Sequence, residues 1–153
     1  TLRALVLPTC TQRLQPVPYW PETPEVQTLL ERLGTPLPLR DERELNILWA
    51  STAIISAFYA FLETVGDWAA GRGVAPATAE DYTASMAHAL ARVALNGGTD
   101  RFARLAAEAA TPGGLNEQVV GTLRAGGAYV NYVNVREALD AVLARIEIAR
   151  PIS

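Results

Sequence analysis

Thr111-Pro112-Gly113-Gly114 interrupts alanine-rich sequence that otherwise runs on as helix. Glycines at a helix start leave backbone N–H groups uncovered, and the helix dipole there favours an anion such as a carboxylate or phosphate. Thr111 adds a hydroxyl and Asn116 an amide to the same cup, so Thr111, Gly113, Gly114 and Asn116 form the candidate substrate-binding set. The same residues also read as a plain corner. Pro112 cannot continue the preceding helix, the glycines take backbone angles closed to other residues, and a second helix begins.

Composition narrows the remaining chemistry. The chain contains no lysine, one histidine (His88) and one cysteine (Cys10), which excludes Schiff-base catalysis, intrachain disulfides and Cys/His zinc sites. His88 shares a polar stripe with Asp81, Ser85 and Arg92 and reads as part of a solvated face. No residue stands out as a general acid, so the chain offers positioning and electrostatics and no identified catalytic group. The formal charge of -3, with no Lys/Arg-rich run, removes the footprint of a nucleic-acid binder. A single thiol and no visible signal peptide fit a cytoplasmic protein. Thr1 in place of an initiator methionine reads as processing, truncation or an engineered boundary.

The elements that must hold the corner follow from proline, glycine and periodicity. Seven of the ten prolines (Pro8, Pro16, Pro18, Pro21, Pro24, Pro36, Pro38) precede residue 40, so the first quarter is expected to be mostly extended. Residues 1 to 8 read as a short strand, QPVPYWPETP as irregular, and residues 24 to 33 as a short helix ending at Gly34. Asp41 is placed as the N-cap of a helix running to Trp68, stopped by Gly71 and Gly73. At about 30 residues it is roughly 45 Å long. It is apolar on every side through Ile47, Trp49, Ile54, Phe58 and Phe61, and such a helix must be covered all round. A second copy of the chain is the simplest cover. Residues 45 to 62 carry Asn46, Ser51, Thr52 and Ser56 and sit at the lower edge of a membrane span, so no membrane partner is expected. Ser51, Thr52 and Ser56 are possible lining residues of a site, although small hydroxyls within helices also serve packing.

Further helices are expected from Thr78, where T-A-E-D resembles a capping box, to Gly97-Gly98; over residues 100 to 110; over residues 115 to 123; and from Asn134, paired with Glu137, to Ile148. Tyr82, Met86, Leu90 and Val93 give one buried face. Val135, Leu139, Val142, Leu143 and Ile146 give another. The fold class expected is all-α with a short N-terminal strand remnant.

Phe61-Leu62-Glu63-Thr64 on the long helix, followed at a distance by Thr111-Pro112-Gly113-Gly114, resembles the C-terminal dimerisation domain of pyrroline-5-carboxylate reductases. In that family a long apolar helix carrying I-E-A precedes a helical hairpin, a short helix, S-P-G-G-T-T and a final helical segment. Leu7-Pro8-Thr9 resembles the M-P-N of the strand that ends the family's nucleotide-binding domain, with Leu5 in place of the family's arginine. The resemblance implies an interleaved homodimer in which Thr111, Pro112, Gly113 and Gly114 bind the carboxylate of a small imine or carbonyl acid. It also implies an NAD(P)H-dependent reductase as the intact parent. Leu115 and Asn116 replace the two threonines after P-G-G, residues 52 to 57 replace G-S-G-P-A-Y, and the similarity is to a divergent branch carrying T-P-G-G-L-N-E-Q.

No G-x-G-x-x-G follows a strand, and Gly71-Arg72-Gly73 lacks the third glycine, so no nicotinamide cofactor is expected to bind this chain alone. The division expected is residues 1 to 40, a remnant or linker from a missing nucleotide-binding domain plus a short helix, and residues 41 to 153, a helical dimerisation and substrate domain. The alternative function is a non-catalytic helical homodimerisation module.

Overall fold

The computed structural model describes residues 1–96 and 98–149. Contacts gather them into two compact units, the first from residues 1–54 with 135 onward, the second from residues 55–134. The chain is mainly helical, as expected, but its extended part is a three-stranded sheet and more than a remnant.

In the first unit the strands β1 (Arg3–Ala4), β2 (Pro16–Trp20) and β3 (Thr35–Pro38) lie in that order, β1 antiparallel and β2 parallel to its neighbour. The strand expected over residues 1 to 8 shortens to two residues and gives way to a 3-10 turn at Pro8–Gln12. The segment expected to be irregular supplies the central strand instead. Its prolines permit this because they alternate: successive residues of a strand point their N–H groups to opposite edges. Pro16 and Pro18 lose N–H groups on one edge of β2, where the Pro18 carbonyl still accepts from the Leu5 N–H at 2.9 Å. In β3 the N–H groups of Thr35 and Leu39 donate across to Gln15 and Tyr19 carbonyls at 2.9 and 3.0 Å. Pro36 and Pro38 therefore face outward.

Helix α1 (Pro24–Leu30) opens on Thr23, whose Oγ1 accepts from the Val26 N–H at 3.4 Å, and it buries Leu30 against Val17 and Tyr19. Burial is the main reason the Tyr19 phenol pKa is raised, with Glu22 and Glu31 adding to it. Gly34 closes the turn for a steric reason: a Cβ there would lie 2.2 Å from the Gln15 carbonyl oxygen. Gly34→Ala is expected to destabilise this unit by about 1–3 kcal/mol, because backbone must move to admit the methyl. A lowered urea midpoint at unchanged slope would show it; an unchanged midpoint would contradict it.

Asp41 caps α2 (Glu42–Ser51) as expected, its Oδ1 accepting from the Glu44 N–H at 2.9 Å. Glu44 reaches back to the Arg40 N–H at 2.8 Å and pairs with its guanidinium. Those bonds from Arg40 hold the Glu44 carboxyl below its ordinary pKa. Glu42 is buried and paired with Arg3 of β1. The continuous helix expected from Asp41 to Trp68 is interrupted: a 3-10 turn at Thr52–Ile54 separates α2 from α3 (Ile55–Ala70). Ser51 and Thr52 bend their hydroxyls back onto the carbonyls of Leu48 and Trp49, both at 2.7 Å, as such residues do where helices tighten.

The second unit begins with α3 and α4 (Pro76–Leu95), which pack as a hairpin through Gly66, Ala79 and Thr83, all buried. Pro76 starts α4 two residues before the expected Thr78, because its fixed φ is already helical. The face expected to be buried is open: Tyr82, Leu90 and Val93 are exposed, and with Phe58, Phe61 and Phe102 of the neighbouring helices they leave large apolar surface uncovered. Most of these residues line one groove of about 670 Å³.

Then come α5 (Arg101–Ala109), α6 (Leu115–Ala125) and α7 (Ala128–Ala149). Gly127, at φ +76, makes the break before α7, so Asn134 lies inside that helix and does not open it. The face from Val135 to Ile146 is the less exposed one, as the spacing predicts. His88 is exposed and Cys10 is a free thiol. The helical stretch Glu42–Ala70 is long and apolar enough to cross a membrane by length and composition, and only 17% of its most apolar window is buried within the chain.

Candidate functional site

The corner between α5 and α6 is built by backbone needs. The Gly114 N–H donates to the Thr111 carbonyl at 2.9 Å, closing a turn with Pro112 first and Gly113, at φ +72, second. A proline followed by a positive-φ glycine is the requirement of a type II turn. Gly114 then takes an extended conformation as the N-cap of α6, and no side chain caps the first turn. A Cβ on Gly114 would lie 2.5 Å from Thr111 Oγ1 and 2.9 Å from the Thr111 carbonyl oxygen. Only glycine fits there.

The expected members of the cup divide. Thr111, Gly113 and Gly114 are together, with the Thr111 hydroxyl over Gly114. Asn116 is partly engaged: its Nδ2 donates one proton to the Ala109 carbonyl at 3.0 Å, tying off the end of α5. That leaves its second N–H donor and its side-chain oxygen for anything outside. Leu115 is 82% exposed. One residue was not anticipated. Glu117 accepts from the Gly113 N–H at 2.7 Å, so the chain's own carboxylate already sits on one of the amides of the cup. Glu117 stands three residues after the N-cap, where a helix's own acid satisfies free N–H groups, and that spacing is the signal that marks it.

The three possible lining residues belong to different units. Ser51 and Thr52 are in the first, where Thr52 with Trp49, Val142 and Ile146 lines a cavity of about 340 Å³. Ser56 is in the second, on a groove between α3 and α4. A further groove of about 900 Å³ lies along β1 and α2, lined by Leu5, Leu45 and Trp49 and by Asn46, whose buried Nδ2 has no partner among the described residues.

A small mixed sheet, a helical hairpin and a glycine-opened helix define a mainly helical domain of a kind already seen in solved enzymes. The chain is similar to a pyrroline-5-carboxylate reductase from Coxiella burnetii, with 20% identity and a TM-score of 0.75 over 95% of this chain and 56% of that one. It is likewise similar to the Plasmodium falciparum pyrroline carboxylate reductase with NADP bound, with 14% identity and a TM-score of 0.75 over 96% of this chain and 57% of that one. These likenesses establish the fold, and the chain spans little more than half the length of either reductase. No protein-family model matches the chain, and no curated protein does.

Proposed function

We propose that the chain is the C-terminal dimerisation and substrate-binding part of an NAD(P)-dependent reductase that acts on a small imine or carbonyl acid. The observation that carries this reading is the α5–α6 corner, a turn closed by Gly113 that opens an uncapped helix at a position only glycine can occupy, within a fold shared with reductases. In the intact parent, the N–H groups at Gly113 and the first turn of α6 hold the substrate carboxylate, aided by the Thr111 hydroxyl. Binding there orients the acid, so this half contributes positioning. The cofactor, NAD(P)H, supplies hydride and is assigned to the rest of the parent, since no turn in this sequence has the glycine triplet of a dinucleotide cradle.

A second copy is the proposed partner. Within the second unit Phe58, Phe61, Leu90, Val93 and Phe102 are exposed along one groove, an apolar face of the kind that a partner covers. The long apolar stretch from Glu42 to Ala70 is assigned to this contact and not to lipid, and a cytoplasmic location goes with that assignment.

The decisive test is calorimetry of the chain with proline as the carboxylate probe, together with the coding sequence upstream of Thr1. Saturable binding, and an upstream strand leading into G-x-G-x-x-G or G-x-G-x-x-A, are the expected results; an initiator codon beside Thr1, or no binding, overturns the reading. A second reading, a non-catalytic dimerisation module, is favoured by the Glu117 carboxylate already seated on the Gly113 N–H. Glu117→Gln separates the two. Removing the competing charge is expected to tighten proline binding roughly 2- to 5-fold if the corner is a carboxylate site. If it is only a corner, the variant loses a little helix stability and still binds nothing.

A further inference from the structure

On the side of the α3–α4 hairpin that carries its polar residues, a groove of about 680 Å³ is lined by Ser56, Tyr59, Glu63, Asp67, Glu80 and Thr83, among others. On α3 the polar members recur at helical spacing, from Ser56 through Tyr59 and Glu63 to Asp67, so they share one face. Glu63 and Asp67 are an i,i+4 pair of like charges, which an isolated helix disfavours. Glu80 of α4 adds a third carboxylate to the same groove, and none of its lining residues is basic. The ion pairs of the described residues join Arg3 to Glu42, Arg40 to Glu44 and Arg104 to Glu108, and leave these three acids unpaired.

The floor of the groove gives an independent indication. Thr83 is 3% exposed, and no hydrogen bond among the described residues engages its hydroxyl. Its Oγ1 faces α3, where a Cβ on Gly66 would lie 3.9 Å away. Thr83 is buried as a residue, but its Oγ1 is not one of the fully enclosed unpartnered polar atoms, so the hydroxyl reaches the groove and is free to bond something there. Among the described residues no group of His, Cys, Asp and Glu is arranged to hold a metal ion. The three acids line the groove without converging on one point, an arrangement that suits an organic cation whose several N–H donors can reach more than one of them.

We propose that this groove binds a primary ammonium or guanidinium group, with Glu63, Asp67 and Glu80 supplying charge and Thr83 Oγ1 accepting a hydrogen bond at the floor. Such a group reaches it either on a free alkyl amine or on an arginine of a second copy, since arginine is the only strongly basic residue type in this chain. The proposal does not depend on the reductase reading.

The test is an NMR titration of the ¹⁵N-labelled chain with 1,4-diaminobutane and, separately, methylguanidinium. Saturable shifts at the amides of Glu63, Asp67, Glu80 and Thr83 are expected, weakened about tenfold in Glu63→Gln/Asp67→Asn. Glu25→Gln, which alters an exposed acid of the first unit, should leave them unchanged. Thr83→Val keeps the shape without the hydroxyl and should weaken binding a few-fold. If neither probe binds but the double variant dissociates an assembly that the parent and Glu25→Gln retain, the cation is the second copy's arginine. Shifts spread evenly over all exposed acids, or no response to either probe with an unaltered assembly in the double variant, would overturn the proposal.

Discussion

Gly114→Val is expected to abolish carboxylate binding at the α5–α6 corner while leaving the rest of the chain folded. The added Cβ meets two atoms of Thr111, and they differ in how they can respond. The hydroxyl, 2.5 Å away, can rotate aside; the carbonyl oxygen, 2.9 Å away, is held by the Gly114 N–H that closes the turn. Backbone must therefore shift, at a cost of about 1–3 kcal/mol, and the shift re-aims the very N–H groups that face the ligand. A misdirected N–H loses most of its bond. Calorimetry with proline should show no heat of binding at concentrations that saturate the parent. The melting temperature should fall by about 2–4 °C for each kcal/mol of strain. Gly114→Ala in a Thr111→Ala background removes the hydroxyl clash and should recover part of the stability. Equal affinity in Gly114→Val and parent would remove the corner from the binding site.

Phe61→Asp should split the proposed assembly of two copies. Phe61 is 61% exposed on the face of α3 that shares a groove with Leu90 and Phe102. An aromatic anchor at the centre of an interface is commonly worth 2 kcal/mol or more, and a carboxylate in its place adds the cost of burying an unpaired charge. Sedimentation should show two copies for the parent and one for the variant, a weakening of about thirtyfold or greater. If the single copy cannot stay folded, the parent's melting temperature should instead rise with protein concentration, as it does when folding and association are linked. A parent that sediments as one copy and melts independently of concentration contradicts the assembly outright.

Much of this architecture was legible in the residues because local rules governed it. Asp41 caps α2 and the expected stop at Gly73 holds, with Gly73 at φ +100. The T-P-G-G break falls where proline and glycine must place it. The misreadings came where two local signals competed or where a distant partner decided. Pro76 and the T-A-E-D pattern both mark a helix start, and the ring with its fixed φ prevailed over a hydroxyl cap. Val17 and Tyr19 were hidden among prolines, and a run that breaks helices proved compatible with a strand because the missing donors alternate. The face through Tyr82 and Leu90, expected to be buried, is exposed within this chain, because periodicity marks an apolar face and cannot say what covers it. At the corner the glycines were evident. Less legible is the competition within it, where Asn116 gives one amide proton to Ala109 and Glu117 takes the Gly113 N–H.

The alternating prolines give the small sheet a direction of growth. The outward edge of β3 is blind, because Pro36 and Pro38 stand where its free donors would be, and no further strand can be zipped onto it by reciprocal backbone bonds. β1 is the opposite case: Leu5 spends its N–H on β2, and the neighbouring Ala4 and Val6 carry theirs on the far edge. The sheet is therefore a one-way ratchet for strand addition, closed on one margin and receptive on the other. Edge-to-edge self-association, the usual hazard of an exposed sheet, is confined to a two-residue strand beside the paired Arg3.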